Sequence, residues 1–250
     1  MIDPWPPAAA GPPSRPIVWN VDLGLGGAAL RAAQRVLSSE EKRRHARFVR
    51  PIDRDRYAAS HAALRFILGQ ALDADPAALT FALGPSGKPE AGTGWPRRLH
   101  FNLSHSGARA LVGVSPTARI GVDVEAMRPL DDALRIARAH FDKTEVAALE
   151  ALPTEAVEPA FFALWTCKEA VVKALGAGLA MPLDRFAVTV PPQPAAILRI
   201  DDEATRREDW SLHRLAPGLG YAGAAAIEGG GGCDLVRLPA DWIDALGNRP

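Results

Sequence analysis

A short pattern occurs twice in this chain and constrains its fold more than any other feature. Val18-Trp-Asn-Val-Asp-Leu23 returns as Arg119-Ile-Gly-Val-Asp-Val124, which sets Asp22 opposite Asp123. Each run is followed by a helix start led by Ser or Asp: Leu37-Ser38-Ser39-Glu40-Glu41 in one copy, Phe141-Asp142-Lys143-Thr144-Glu145 in the other. Side-chain oxygens of such residues accept the first unpaired N–H groups of a helix. A long helix then covers Arg54–Leu72 or Pro159–Leu175, and both reach Leu-Gly. Strand-like runs close each copy, Leu79–Leu83 and Leu99–Val114, then Phe186–Val190 and Trp210–Ile227. The repeat predicts an α+β protein made of two similar halves related by a pseudo-twofold axis, with the site in the cleft between them. The alternative is chance similarity in a chain rich in Ala and Leu.

With 250 residues the chain has room for two cores, and 48% hydrophobic against 23% charged residues excludes a largely disordered protein. Lys+Arg and Asp+Glu both number 29, so no excess positive charge points to a nucleic-acid partner. The two cysteines, Cys167 and Cys233, form neither a disulfide framework nor a metal motif, which predicts a reducing, cytoplasmic setting. No run has the length of a membrane span, and the N-terminus has no signal-peptide pattern. The expected division is a Pro-rich, disordered tail over 1–16, halves over 17–116 and 117–228, and a Gly-rich linker with a C-terminal segment over 229–250. Pro85–Pro96 reads as a loop.

Four segments carry chemistry. Ile120-Gly-Val-Asp123-Val-Glu125 alternates strictly, so Ile120, Val122 and Val124 share one strand face and the two acids the other. Two carboxylates so placed suit Mg²⁺ or Mn²⁺ with a substrate phosphate; an exposed acidic strand face is the plainer reading. In the helix around Trp165-Thr-Cys-Lys168-Glu169-Ala-Val-Val-Lys173, Leu164, Cys167, Val171 and Leu175 form a core stripe. Phe162, Trp165, Glu169 and Lys173 lie opposite. Glu169 and Lys173 have the spacing of a helix salt bridge worth about 0.2–0.5 kcal/mol, yet Phe and Trp beside them argue for a face that meets something. In the first copy Ala62 and Phe66 take their places, as in a duplicated fold with one active site.

The third segment joins Ser86-Gly-Lys88-Pro89 to His100-Phe-Asn-Leu-Ser104-His105-Ser106-Gly107. A strand here delivers small hydroxyls and a His to its end, where they suit a phosphate or a capped turn. Ser104 and His105 are neighbours, which does not let the His act on the Ser as a base. The fourth is the cationic stretch Lys42–Arg56, a solvated face or a phosphate contact.

Taken in series, these motifs resemble the 4′-phosphopantetheinyl transferases of the long, Sfp-type branch. The resemblance rests on Gly121-Val-Asp123-Val-Glu125 and Phe161-Phe-Ala-Leu-Trp165-Thr-Cys-Lys168-Glu169-Ala-Val-Val-Lys173. Gly87-Lys88-Pro89, Phe101–Gly107, Phe141–Glu145 and Gly176–Leu183 follow the same pattern in the right order, so the likeness spans about residues 17–228. It implies the pseudo-dimeric fold and transfer of the phosphopantetheine arm of coenzyme A to a serine of an apo acyl or peptidyl carrier protein. Mg²⁺ is the implied cofactor, with Mn²⁺ possible, and adenosine 3′,5′-bisphosphate the second product. By position, Asp123, Glu125 and Glu169 would hold the metal, and Glu169 would serve as base, directly or through water. Lys173 would meet charge on the phosphates, and Arg44, Lys88, Ser104 and His105 would contact the nucleotide. Lys168 would either touch phosphates or position the helix. A monomer, with no nucleic-acid or membrane partner, is the expected state. The rivals are a Mg²⁺-dependent phosphohydrolase or nuclease and a catalytically dead carrier-binding module.

Overall fold

The computed structural model describes residues 13–84, 87–178, 181–202 and 205–246. Most of the expected tail, Pro85 and Ser86 of the loop, and Leu179 and Ala180 of the Gly-rich motif lie outside them. Among the described residues the protein is mixed α+β, with six helices and eleven strands. It is built around two apolar clusters and a smaller one joining them.

The first cluster lies between one sheet and two helices. Strands β1 (Ile17–Asp22), β5 (Arg109–Ser115), β4 (His100–Ser106) and β11 (Asp234–Arg237) pair in the order β11-β1-β5-β4. Helices α1 (Gly27–Val36) and α3 (Pro51–Leu72) contribute Ala33, Leu64, Ile67 and Leu68 to the core below Trp19, Val21 and Val112. Burying a side chain such as Ile67 contributes about 1.5–3 kcal/mol. Helix α2 (Ser39–Ala46) starts at the expected Ser38 with a full capping box: Glu41 N donates to Ser38 Oγ at 3.2 Å and Ser38 N to Glu41 Oε2 at 2.7 Å. A small hairpin of β2 (Phe81–Leu83) and β3 (Pro89–Ala91) stands beside this core.

The second cluster lies between β6 (Ile120–Ala126), β10 (Tyr221–Glu228) and β9 (Trp210–Leu215), in that order, and helix α6 (Thr154–Leu175). Helices α4 (Ala133–His140) and α5 (Lys143–Glu150) and the pair β7 (Phe186–Val188) and β8 (Ile197–Ile200) complete it. Helix α5 repeats the capping box of α2, with Asp142 as cap and Glu145 reaching back to Asp142 N at 3.0 Å. Val18, Leu111, Ile120, Val122, Ala225 and Ile227 join the two cores.

Two helix bounds need correction, and the C-terminal segment gains a place in the fold. In it β11 runs parallel to β1, and Leu238, Trp242 and Ile243 pack into the first core. The open backbone edge of β1 and the packing of Trp242 on Phe66, with ring centroids 5.5 Å apart, both favour that return. Helix α6 begins at Thr154, so Pro159 lies inside its second turn, where a missing N–H removes one helix bond. Helix α3 starts at Pro51, three residues before the expected Arg54. It continues to Leu72 and ends on Asp73 in the left-handed region, while Gly69 gives Ala74 O and Pro76 room that a Cβ would occupy.

Candidate active site

The site is positioned by the contact of β6 with α6. A Cβ on Gly121 would come within 2.2 Å of Ala170 O and 2.3 Å of Ala174 N, so only glycine lets strand and helix backbones meet this closely. Asp123, two residues along the strand, thereby comes against Lys173 on the helix. Lys173 Nζ donates to Asp123 Oδ1 at 2.6 Å and to Ser104 Oγ at 3.1 Å. Lys173 therefore pairs across to the strand and not with Glu169 on its own helix. Neither plainer reading holds: Asp123 is only 3% exposed and does not lie on a solvated strand face.

One edge of β6 pairs with β10. The other meets side chains from β4. Asn102 Oδ1 accepts from Val122 N at 2.8 Å, Ser104 Oγ from Val124 N at 3.4 Å, and Ser106 Oγ from Ala126 N at 3.1 Å. The two hydroxyls donate onward, Ser104 to Asp123 Oδ1 and Ser106 to Glu125 Oε2, both at 2.8 Å. Sequence reasoning left Ser106 among generic phosphate donors. Its hydroxyl instead holds a carboxylate, a role signalled only by the matched two-residue spacings of Ser104/Ser106 and Asp123/Glu125.

Electrostatically the three acids form one group. Burial pushes Asp123 above its ordinary range, opposed by Lys173 and the Ser104 hydroxyl. Burial, then the nearby Asp123 charge, raises Glu125. Glu169 is raised by burial and then by Asp123 and Glu125. Among the described residues no three such groups are drawn tightly enough to hold a metal ion by themselves. The donor set nevertheless fits a hard cation: among the described residues the buried Asp123 Oδ2 has no hydrogen-bond partner, and the Ser106 hydrogen bond to Glu125 falls on Oε2.

Lys173, Ser104 and His105 also line a cavity of about 720 Å³ that extends into the first half. Its walls are α2 and α3, with Arg43, Arg44, Phe48, Tyr57 and His61, and the β2–β3 hairpin, with Phe81, Leu83 and Pro89. That volume suits a nucleotide-sized ligand. His105 stands at the rim, its pKa lowered by partial enclosure and then by Lys173, Arg44 and Arg56. His61 stacks on Tyr57 with ring centroids 3.8 Å apart and is held down to about 4 by burial, while the Tyr57 phenol is pushed up to about 12 by the same cause.

Lys88 stands apart from this set. Its ammonium donates to Lys173 O at 2.7 Å and Ile120 O at 3.4 Å, and burial lowers its pKa to about 8. It lines a separate cavity of about 290 Å³ at the end of α6 with Arg98, His100 and Arg119. Lys168 is also decided: fully buried, it donates to both oxygens of Glu145 at 2.8 and 2.7 Å and to Phe186 O at 2.8 Å. It ties α5, α6 and β7 together and reaches no open cavity. Trp165, on the face expected to meet something, packs near Phe141 and Phe161 at 6.0 and 5.9 Å.

A family model described as the 4′-phosphopantetheinyl transferase superfamily matches residues 119–226, the stretch that carries both acid motifs and α6. The chain is 36% identical to the 4′-phosphopantetheinyl transferase HetI of Nostoc sp. (strain PCC 7120 / SAG 25.82 / UTEX 2576), over 86% of this chain and 88% of that protein. It is 32% identical to the 4′-phosphopantetheinyl transferase Sfp of Bacillus subtilis (strain 168), over 67% of this chain and 78% of that protein. No helix among the described residues is long and apolar enough to cross a membrane. At these identities and coverages the chain belongs to the 4′-phosphopantetheinyl transferase superfamily and is a transferase.

Proposed function

We propose that this enzyme moves the 4′-phosphopantetheine arm of coenzyme A onto a serine hydroxyl of an apo acyl or peptidyl carrier protein. The reaction depends on Mg²⁺, which Mn²⁺ can replace, and releases adenosine 3′,5′-bisphosphate. One observation carries this reading: Lys173 lines the 720 Å³ cavity and pairs with Asp123, so cavity and acid cluster share a group. Coenzyme A fits the cavity with its phosphates toward Lys173, His105 and Arg44, near the Ser104 end of β4. Asp123, Glu125 and Glu169 would hold the metal, which when bound neutralises charge on the pyrophosphate oxygens. Glu169, with its raised pKa, accepts the proton of the incoming serine directly or through a water. The serine oxygen bonds to the phosphorus bearing the pantetheine arm, and the bond from that phosphorus to the bridging oxygen breaks. The bridging oxygen leaves on adenosine 3′,5′-bisphosphate, and Lys173 offsets its growing negative charge.

The buried thiol of Cys167 and the partly buried one of Cys233 fit a reducing cytoplasm, and both halves on one chain fit a monomer. Incubation with coenzyme A, Mg²⁺ and a panel of apo carriers, followed by weighing of the carriers and assay of adenosine 3′,5′-bisphosphate, tests the reading. A mass gain of one phosphopantetheine, matched by bisphosphate release only when carrier is present, is expected. Release without carrier would mark a phosphohydrolase, and no release with any carrier a dead binding module.

A further inference from the structure

The open edge of β6 is completed by side chains and not by another strand, and one of those side chains has a second task. Asn102, Ser104 and Ser106 stand on one face of β4 and take the N–H groups of Val122, Val124 and Ala126 in turn. Once the Ser106 oxygen has accepted the Ala126 N–H, its own proton is directed at Glu125 Oε2, 2.8 Å away. A glutamate has three side-chain torsions, and among the described residues no other hydrogen bond holds this one. Tying Oε2 leaves Oε1 for another partner. The same division occurs at Asp123, where Oδ1 takes Ser104 and Lys173 and the buried Oδ2 takes none.

We infer that Ser106 is a positioning residue: its hydroxyl fixes Glu125 so that one carboxylate oxygen is presented to the divalent cation beside Asp123. The inference rests on the reading of Glu125 as a metal-holding residue and extends it to a side chain on the other half of the molecule. Groups that orient a metal ligand in this way typically change metal affinity by about 10–100-fold when removed. Ser106→Ala deletes the donor to Glu125. Ser106→Thr keeps the hydroxyl and adds a β-branch that a strand accepts. Asn102→Ala removes a rung of the same ladder that touches neither acid, which separates positioning from simple sheet docking.

The test is the Mn²⁺ dissociation constant, from the electron paramagnetic resonance of free Mn²⁺, measured on the full chain saturated with coenzyme A. Ser106→Ala is expected to weaken Mn²⁺ about tenfold, Ser106→Thr to lie within about twofold of wild type, and Glu125→Gln to weaken it at least as much as Ser106→Ala. Asn102→Ala is expected to melt earlier yet keep its Mn²⁺ affinity within about twofold. Should Ser106→Ala not fold, Ser106→Cys, of similar size with a weak S–H donor, is read in the same way. Weakening by Glu125→Gln but not by the folded Ser106 variants would overturn the positioning role alone. Equal weakening by Asn102→Ala and Ser106→Ala would reduce Ser106 to a docking rung and overturn it as well. No effect of Glu125→Gln would remove Glu125 from the metal site, and the inference with it.

Discussion

The two apolar cores share one structural device, an acid of a helix cap paired with a cation of the long helix. In the first, the capping-box acid Glu41 pairs at 2.8 Å with Arg65 of the long helix, 24 residues on. In the second, Glu145 pairs at 2.7 Å with Lys168, 23 residues on. Each cation also donates to backbone carbonyls, Arg65 to Pro76 O and Leu79 O, and Lys168 to Phe186 O. Anchored on these pairs, Phe66 follows Arg65 where Glu169 follows Lys168, and Gln70 stands where Lys173 does. The expected counterparts, Ala62 and Phe66, are therefore four helix positions out of register. The lesson is that a capped helix locked by a buried acid serves as scaffold in both cores, while the neighbouring helix positions differ: Phe66 and Gln70 in one, Glu169 and Lys173 in the other.

The largest test of that comparison removes the scaffold ion pair itself. Lys168→Met leaves the Glu145 carboxylate, 1% exposed, without its cation, and should cost about 3–5 kcal/mol of stability. Arg65→Met should cost less, about 1.5–3 kcal/mol, because Glu41 is 12% exposed and opens onto the cavity. Denaturant melts measure both. Equal losses would break the claim that the second pair is the more deeply enclosed.

Next in size is the chemistry carried by one half. Lys173→Ala and Asp123→Ala should each lower kcat by about 10²–10³-fold in folded protein, since the proposed mechanism sets both where charge develops. Affinity for coenzyme A should fall less, because that contact is shared by ground and transition states. Single-turnover rates at saturating coenzyme A measure this. A Lys173→Ala rate within about threefold of wild type would leave the lysine a structural partner of Asp123. Calorimetric titration should find one coenzyme A per chain, since Phe66 and Gln70 cannot repeat the roles of Glu169 and Lys173.

How much of this was readable without the structure follows the range of each contact. Both helix starts were legible, because Ser38 and Asp142 make their capping bonds within three residues. So was the division of β6 into an apolar and an acidic face, since alternation is local. The pairing of Lys173 with Asp123, 50 residues away, was not, because a helix that carries Glu169 one turn earlier offers a local partner of equal charge. The Glu145–Lys168 bond left no periodic trace, and the return of β11 to β1 crosses nearly the whole chain. The direction of the Lys88 side chain was equally hidden, since a Gly-Lys-Pro turn states where the backbone bends and nothing of what the ammonium meets.

A smaller effect is tied to pH. His61 in the first half is held neutral, with its pKa lowered to about 4 by burial, Glu41 opposing and His105 and Arg44 assisting. A depressed histidine stabilises the fold above its unfolded pKa of about 6.5, where both states are neutral, and loses that contribution as pH falls toward 4. In the acid range the unfolded chain binds the extra proton, so stability should fall by about 2 kcal/mol between pH 7 and 5. His61→Phe, which keeps a ring against Tyr57, should flatten that slope in urea titrations at the two pH values. An unchanged slope would show that His61 is not the group behind the acid sensitivity, since the raised carboxyls Asp123, Glu125 and Glu169 act with the opposite sign.

The smallest effect tests the acid that the repeat set opposite Asp123. Asp22 ends β1 with its side chain 51% exposed and pairs at 2.8 Å with Arg109. It also accepts the Gly24 N–H at 2.9 Å, a turn contact of the kind that short acids make at strand ends. Exposed ion pairs of this sort are worth about 0.2–1 kcal/mol, and water replaces the turn contact at little cost. Asp22→Asn keeps an oxygen for Gly24 and removes only the charge, so it should cost about 0.5 kcal/mol or less and leave the transfer rate unchanged. The strand position repeats, but Asp123 is buried against Lys173 and Ser104 whereas Asp22 faces water; burial and partners, not the residue type, separate the two acids. A Asp22→Asn enzyme slowed by more than about tenfold at unchanged stability would mean that the first half contributes an acid of its own, and the single-site comparison would fail.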